Sequence, residues 1–84
     1  MPSPQQPVAL SAEQVDELNR KLSAMRHDIN NNLSVIIAAL ELIRYKPEVA
    51  ERMFASIGQQ PAKIGETMAK FSGEFEKILG ITRP

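Results

Sequence analysis

The sequence has 84 residues, enough for one small domain, and its ten Lys and Arg residues balance ten Asp and Glu residues. This balance, without a block of like charges, argues against nucleic-acid binding, which requires a basic stripe. The absence of cysteine excludes disulfides and thiolate metal sites, and one histidine among scattered acids is a poor basis for a zinc site. No apolar run approaches the ~20 residues of a membrane span, and no signal peptide is visible. We therefore expect a cytoplasmic protein that binds no metal and no cofactor.

The composition of the sequence changes at residue 11. Residues 1–10 hold three prolines and no apolar periodicity, which predicts a flexible tail. Ser11 is a good helix cap, and Gln14 stands where a capping box needs it. These signals predict a first helix from residue 12 to about residue 45.

Two interleaved rows of mostly apolar residues run through this first helix. Within each row the residues recur every seven positions, which is typical of the seam of a long helix packed on partners. At about 100° per residue, His27 lies roughly 160° from Ile29 on the seam, so its side chain should be exposed. The rows are Val15, Leu22, Ile29, Ile36 and Ile43, and Leu18, Met25, Asn32 and Ala39.

A second helix is predicted over about 48–79. Pro47 suits the first turn of a helix, and Gly80 suits the position just after its end. Pro61 leaves two alternatives, one long helix with a kink or a turn just before the proline, and the unbroken apolar phase favours the long helix. Residues 81–84 are expected to form a second tail. The apolar stripe of this helix comprises Val49, Met53, Ile57, Pro61, Ile64, Met68, Phe71, Phe75 and Ile78.

The connection between the helices is short, which predicts that they pack as antiparallel neighbours. Helices of about 34 residues are about 50 Å long, and a lone hairpin cannot cover seams this wide. Leu33, Ile37 and Leu40 flank the first seam and would remain exposed. The predicted fold is therefore all-α, an antiparallel helical hairpin that dimerises into a four-helix bundle.

The run from His27 to Leu33 resembles a known motif. It reads His, Asp, Ile, Asn, Asn, Asn, Leu, which is similar to the H-box of the dimerisation and histidine-phosphotransfer (HisKA-like) domain of two-component sensor histidine kinases. In that family the histidine is followed by an acid, an apolar residue, two polar residues, usually a proline, and a leucine. The departure is Asn32, which stands where the proline normally kinks the helix. The resemblance covers residues 11–80, a hairpin with its histidine midway along the first helix.

The resemblance implies a role for three residues. His27 would be the phospho-acceptor, Asp28 would act as general base on the imidazole, and Asn31 would position water for dephosphorylation of the partner. Neutral imidazole is a competent nucleophile near neutral pH. The sequence contains nothing like the ATP-binding domain of the family, so this chain alone should not use ATP. The expected activity is phosphotransfer between His27 and a receiver-domain aspartate, either as a stand-alone protein or as a piece of a larger kinase.

The expected partners are a second copy of the chain, a histidine kinase and a response-regulator receiver domain. We expect the receiver to dock on the loop side of His27, where small side chains leave room for a helix. Residues level with each other in the hairpin should have numbers that sum to about 93. The predicted docking surface comprises Ser34, Val35 and Ala38 on the first helix and Ala55, Ser56 and Gln59 on the second.

Two other interpretations of the sequence remain open. A single exposed histidine on a helix is usually an ordinary surface residue, and the chain would then be a non-catalytic dimeric module that binds a kinase or regulator. The third interpretation is a structural coiled-coil piece, in which Asn32 on the seam would fix the register. Detection of acid-labile, alkali-stable phosphate separates phosphotransfer from both alternatives.

Overall fold

The computed structural model describes residues 6–80, which form two long helices packed against each other as a hairpin. Helix α1 spans Ala12–Tyr45 and helix α2 spans Ala50–Leu79. The predicted all-α hairpin is confirmed. The predicted tails fall partly on residues 1–5 and 81–84, which lie outside the described residues.

The start of α1 is fixed by side chains of its first turn. The Gln14 backbone N–H donates to Ser11 Oγ at 3.1 Å, and the Ser11 backbone N–H donates to Gln14 Oε1 at 2.8 Å. These reciprocal bonds form the predicted capping box, and they satisfy donors that the helix leaves without intrahelical partners. The helix therefore begins where the sequence places it.

The connection between the helices contains a short turn that the sequence analysis did not predict. Residues Pro47–Val49 form a short 3₁₀ turn, in which the Val49 backbone N–H donates to the Lys46 carbonyl at 3.0 Å. Helix α2 therefore begins at Ala50, about two residues later than predicted. It ends at Gly80, whose φ of 70° lies in the left-handed region that glycine adopts without strain.

Helix α2 continues through Pro61 without interruption, which decides between the two alternatives in favour of one long helix. The predicted stripe is nevertheless wrong at two positions, because Pro61 and Met68 are exposed. Each step of four residues overshoots a full turn by about 40°, so the series from Val49 to Pro61 rotates out of the interface. Gln60 lies there instead, 3% exposed, and its Nε2 donates to the Ser56 carbonyl at 3.0 Å.

The interface between the helices is narrow and buries few side chains completely. The hairpin measures 57 × 28 × 12 Å, so it is about one helix thick. Ala39 is the one buried apolar residue in the described part of the chain, and large apolar side chains of the seam are half-buried at best. Leu33, Ile37 and Leu40 remain exposed, as predicted. The thin interface leaves a broad face of each helix accessible.

Candidate functional site

His27 lies midway along α1 on its exposed surface. Its side chain is 80% exposed, in agreement with the angular position predicted from the sequence. The helix is unbroken on both sides of it, so Asn32 is accommodated as an ordinary helical residue. A regular helix fixes the imidazole relative to the residues three and four positions away.

Asp28 lies beside the imidazole. Its Oδ1 is 3.5 Å from His27 Nδ1, longer than the ~2.7–3.2 Å of a well-formed hydrogen bond. A proton on Nδ1 suits this contact and leaves Nε2 as the nitrogen with a free lone pair; this tautomer is our assignment. Both side chains are open to solvent, so the imidazole is accessible from outside the hairpin.

The residues predicted to act in dephosphorylation and docking differ in how accessible they are. Asn31 is exposed one helical turn beyond it, on the same face. The Ser34 hydroxyl donates to the Asn30 carbonyl at 2.9 Å, so its proton is already used within the helix. Val35, Ala38, Ala55 and Gln59 are exposed, whereas Ser56 is half-buried between the helices and is less available to a partner than predicted.

The structure also brings together a cleft that the sequence analysis did not identify. This Asp28 cleft has a volume of about 360 Å³ and lies between α1 and α2, from Asp28 toward the open end of the hairpin. Residues spaced by three or four positions on each helix form its walls. This spacing is visible in the sequence, but it does not show which residues of the two helices face each other. Its lining comprises Arg20, Lys21, Ala24, Met25, Asp28, Thr67, Lys70, Phe71 and Glu74.

The charges of the Asp28 cleft are only partly paired. Lys21 Nζ lies 2.9 Å from Glu74 Oε2 across the interface and 3.8 Å from Glu17 Oε1 on its own helix. The hydrogen bond from Lys21 lowers the pKa of Glu74 below its ordinary value, and the positive charges of Lys21 and Lys70 act in the same direction. Arg20 and Lys70 form no salt bridge with any residue of the described chain.

The Lys21–Glu74 pair predicts a pH dependence of stability. A carboxyl group with a lowered pKa stabilises the fold above its unfolded-state pKa, and this contribution is lost as the pH falls through the folded-state value. Glu74→Gln should therefore lower the thermal midpoint near neutral pH, by a few degrees at most because the pair is still partly open to solvent. The difference from wild type should shrink as the pH falls below about 4.5, the ordinary glutamate pKa, and through the lowered pKa of Glu74.

Thermal unfolding followed by circular dichroism across this pH range measures the effect. Glu66→Gln is the matched control, because Glu66 is an exposed glutamate of the same helix without a salt bridge in the described structure. A difference for Glu74→Gln that persisted unchanged into acid would contradict the ion pair.

Two classes of site find no support among residues 6–80. No three His, Asp or Glu side chains there are grouped as metal ligands would be. None of the described helices has the length and apolar character needed to cross a membrane.

Comparisons of the chain with protein-family models, with curated proteins and with solved structures found no match in any of the three. The function of the His27 site must therefore be inferred from its own residues and geometry.

Proposed function

We propose that this chain is a histidine phosphotransfer module, in which His27 accepts a phosphoryl group and exchanges it with the aspartate of a receiver domain. The observation that carries the proposal is the position of His27. It is exposed midway along the first helix of an antiparallel hairpin, with Asp28 at Nδ1 and Nε2 open to solvent. This arrangement matches what the resemblance of the His27–Leu33 run implies.

The chemistry requires little beyond an accessible imidazole. The Nε2 lone pair attacks phosphorus, an N–P bond forms, and the P–O bond to the donor aspartate breaks, with its electron pair leaving on the carboxylate. The Nδ1 proton stays beside Asp28, which stabilises the developing positive charge on the ring and can take up the proton. In the reverse direction a carboxylate oxygen of the receiver attacks phosphorus, and the electrons of the N–P bond return to Nε2.

The proposed module acts as a dimer, because several exposed apolar side chains lie on one side of the hairpin. The Asp28 cleft marks one flank of the interface on both helices. At 100° per residue, Leu33, Ile37 and Leu40 of α1 lie on the opposite flank. The same reasoning places Phe54, Pro61 and Met68 of α2 on that opposite flank. Together these six residues form a single surface, which we call the apolar face.

A second copy of the chain is the proposed cover of the apolar face. Ile37, Phe54 and Leu40 are 62%, 58% and 51% exposed. Contact between two such faces related by a two-fold axis is self-complementary and would produce a four-helix bundle. His27 lies about 80° from Ile37 and about 120° from Leu33 around α1, outside this face, so dimerisation would leave the imidazole accessible.

Docking of the receiver on the loop side of His27 is part of the proposal. Val35, Ala38 and Gln59 provide an exposed surface of modest side chains there. Asn31 lies between this surface and His27, where its amide can hold a water molecule for dephosphorylation of the receiver. A small surface of this kind suits a partner that leaves after transfer.

Ala38→Arg tests this docking surface. The arginine should obstruct a receiver helix that lies against α1. The rate of phosphotransfer from a phosphorylated receiver should therefore fall at least about tenfold, which corresponds to about 1.4 kcal/mol. Ala62→Arg is the matched control, because Ala62 is an exposed alanine on the outer side of α2. Time courses of phosphotransfer, quenched at intervals, measure both rates. Equal rates for the two variants would place the receiver on another face.

The proposal as a whole is tested by labelling. The wild-type chain, incubated with candidate histidine kinases and ATP or with phosphorylated receiver domains, should acquire acid-labile, alkali-stable phosphate on His27. Incubation with ATP alone should give no label. Peptide mapping by mass spectrometry under alkaline conditions locates the phosphate.

A second candidate function is a non-catalytic dimeric module that binds a kinase or regulator without passing phosphate. The apolar face favours it as much as it favours phosphotransfer, because an exposed apolar surface marks an interaction site whatever the chemistry nearby. A structural coiled-coil piece would use the same face. Stable binding of a kinase or receiver without labelling of His27 would select the binding module.

A further inference from the structure

We propose that the surface on the loop side of His27 accepts an amphipathic helix whose apolar stripe is bordered along one side by Asp and Glu residues. Its contact residues are an exposed apolar row on α1 and a basic row on α2. The identity of this helix as part of a receiver domain rests on the proposed function. The kind of helix that the surface selects rests on its own side chains.

The apolar row lies on α1, outside both the hairpin interface and the apolar face. Val35, Leu42 and Tyr45 are 38%, 46% and 74% exposed. Asp28, Val35 and Leu42 recur every seven residues, which places the row on the cleft flank of α1. Leu40 of the apolar face lies about 160° from Leu42 around the helix. The members are three or four positions apart and form one strip about 15 Å long. This Leu42 row comprises Val35, Ala38, Leu42 and Tyr45.

The basic row lies on the facing flank of α2. Lys70 lines the Asp28 cleft, and Lys63 precedes it by seven residues. Arg52 precedes Lys70 by five full turns of about 3.6 residues, so all three share the cleft flank of α2. Arg52 and Lys63 are exposed and form no salt bridge in the described chain. This Arg52 row comprises Arg52, Gln59 and Lys63.

The two rows lie at the same level of the hairpin. Lys21 and Glu74 are in contact across the interface at 2.9 Å, so residues at one level have numbers that sum to about 95. Arg52 therefore lies near the level of Leu42, and Lys63 lies near the other end of the Leu42 row. The apolar strip thus has a basic border on its α2 side.

The other border of the strip has the opposite charge. Glu41 lies on the outer side of α1, about 100° from Leu42 and away from α2. It forms no salt bridge in the described chain. The surface is therefore apolar along its middle, basic on one side and acidic on the other. Charge complementarity then favours a partner helix with carboxylates along only one side of its apolar stripe.

Such a helix suits a partner that binds briefly. Burial of its apolar stripe against Leu42 and Tyr45 supplies affinity, whereas the exposed charges at the border chiefly affect association rate and choice of partner. Val35 is eight residues beyond His27, about 12 Å along α1. This distance is less than the diameter of a small domain, so a domain docked through the helix reaches the level of the imidazole.

Two synthetic peptides of about five helical turns test the chemistry of the surface. Both have leucines at helical spacing on one face, and they have either glutamates or lysines along one border of that face. Titrated into the ¹⁵N-labelled full chain, the glutamate peptide should shift backbone amide signals of the Leu42 and Arg52 rows. The lysine peptide should bind at least about fivefold more weakly. Leu42→Ser should weaken the binding of both peptides.

The double variant Arg52→Glu, Lys63→Glu should exchange this preference and bind the lysine peptide more tightly than the glutamate peptide. Loss of folding would not produce such an exchange. The double variant Arg26→Glu, Lys77→Glu is the matched control, because both residues are exposed and the net charge changes equally. Arg26 lies about 160° from Leu42 around α1, and Lys77 lies about 21 Å beyond Lys63 along α2. The control should keep the preference of the wild type.

The outcomes separate the docking surface from phosphotransfer. Equal binding of the two peptides by the wild type, or no shifts at the two rows with either peptide, would overturn the acidic partner helix and leave phosphotransfer by His27 intact. Light scattering that shows tetramers abolished by Leu42→Ser would make a second copy the occupant instead. Peptide discrimination without labelling of His27 by any kinase, receiver or phosphoramidate would remove the proposed function and retain the docking surface.

A phosphorylated receiver then connects the surface to the proposed function. Transfer from the receiver to His27 should be at least about fivefold slower in Arg52→Glu, Lys63→Glu than in the wild type. Labelling of His27 by phosphoramidate should be the same in both chains, because this small donor needs no docking helix. Equal rates of transfer from the receiver would contradict its docking through an acidic helix on this surface.

Discussion

Replacing His27 by glutamine is expected to reduce phosphate labelling of the chain to background. The glutamine amide has no nucleophilic nitrogen, and no second histidine exists in the sequence to replace the imidazole. The fold should be unaffected, because the substituted side chain is 80% exposed and glutamine is at least as good a helix former as histidine. Alkaline mass spectrometry after incubation with a kinase or phosphorylated receiver gives the label, and circular dichroism gives the helicity.

Arg26→Gln is the control for His27→Gln. Arg26 is the exposed neighbour of His27 and does not line the Asp28 cleft. This variant should label like the wild type. Phosphate that survives His27→Gln would place the acceptor at another residue, and a wild-type chain that never labels would favour the non-catalytic binding module.

Replacing Ile37 by lysine is expected to dissociate the proposed dimer into single hairpins. Ile37 lies between Leu33 and Leu40 on the apolar face and is 62% exposed. Burying the isoleucine in a second copy would contribute about 1.5–3 kcal/mol per side chain, and a two-fold interface loses this contribution twice. A lysine there would in addition be buried without a partner, so the dissociation constant should rise at least about a hundredfold.

Light scattering after size-exclusion chromatography at micromolar concentration measures the change. The wild type should have about twice the chain mass of 9.3 kDa, and Ile37→Lys should approach the single-chain mass. Leu42→Lys is the control, because Leu42 is an exposed leucine of α1 on the flank opposite to the apolar face. Dissociation by Leu42→Lys alone would move the dimer interface to the cleft side. A wild-type monomer with full helicity would exclude the dimer.

The two variants separate the two properties proposed for this chain. His27→Gln should remove labelling and keep the dimer, whereas Ile37→Lys should remove the dimer and keep an exposed His27. Whether the monomeric variant still labels then shows directly whether transfer depends on the second copy. A small phosphodonor should label both wild type and Ile37→Lys, since the His27–Asp28 pair belongs to one helix.

Much of the local structure could be predicted from residues that are neighbours along the chain. The capping box at Ser11 and Gln14 fixed the start of α1, and Gly80 fixed the end of α2, because both signals act within one or two turns. The exposure of His27 followed from its angle to the seam on a single helix. Such features depend on neighbours along the chain and need no knowledge of what packs across from them.

Which side chains of α2 face α1 depends on how the two helices pack against each other. Small errors of phase accumulate over 30 residues, so the stripe read from the sequence included Pro61 and Met68, whereas the interface takes Gln60 instead. The Asp28 cleft likewise required pairing of the two helices, because its lining combines five residues of α1 with four residues of α2 that lie at least 39 positions further along the chain. The register between α1 and α2 is set by packing and by contacts such as Lys21–Glu74, which local sequence patterns do not encode.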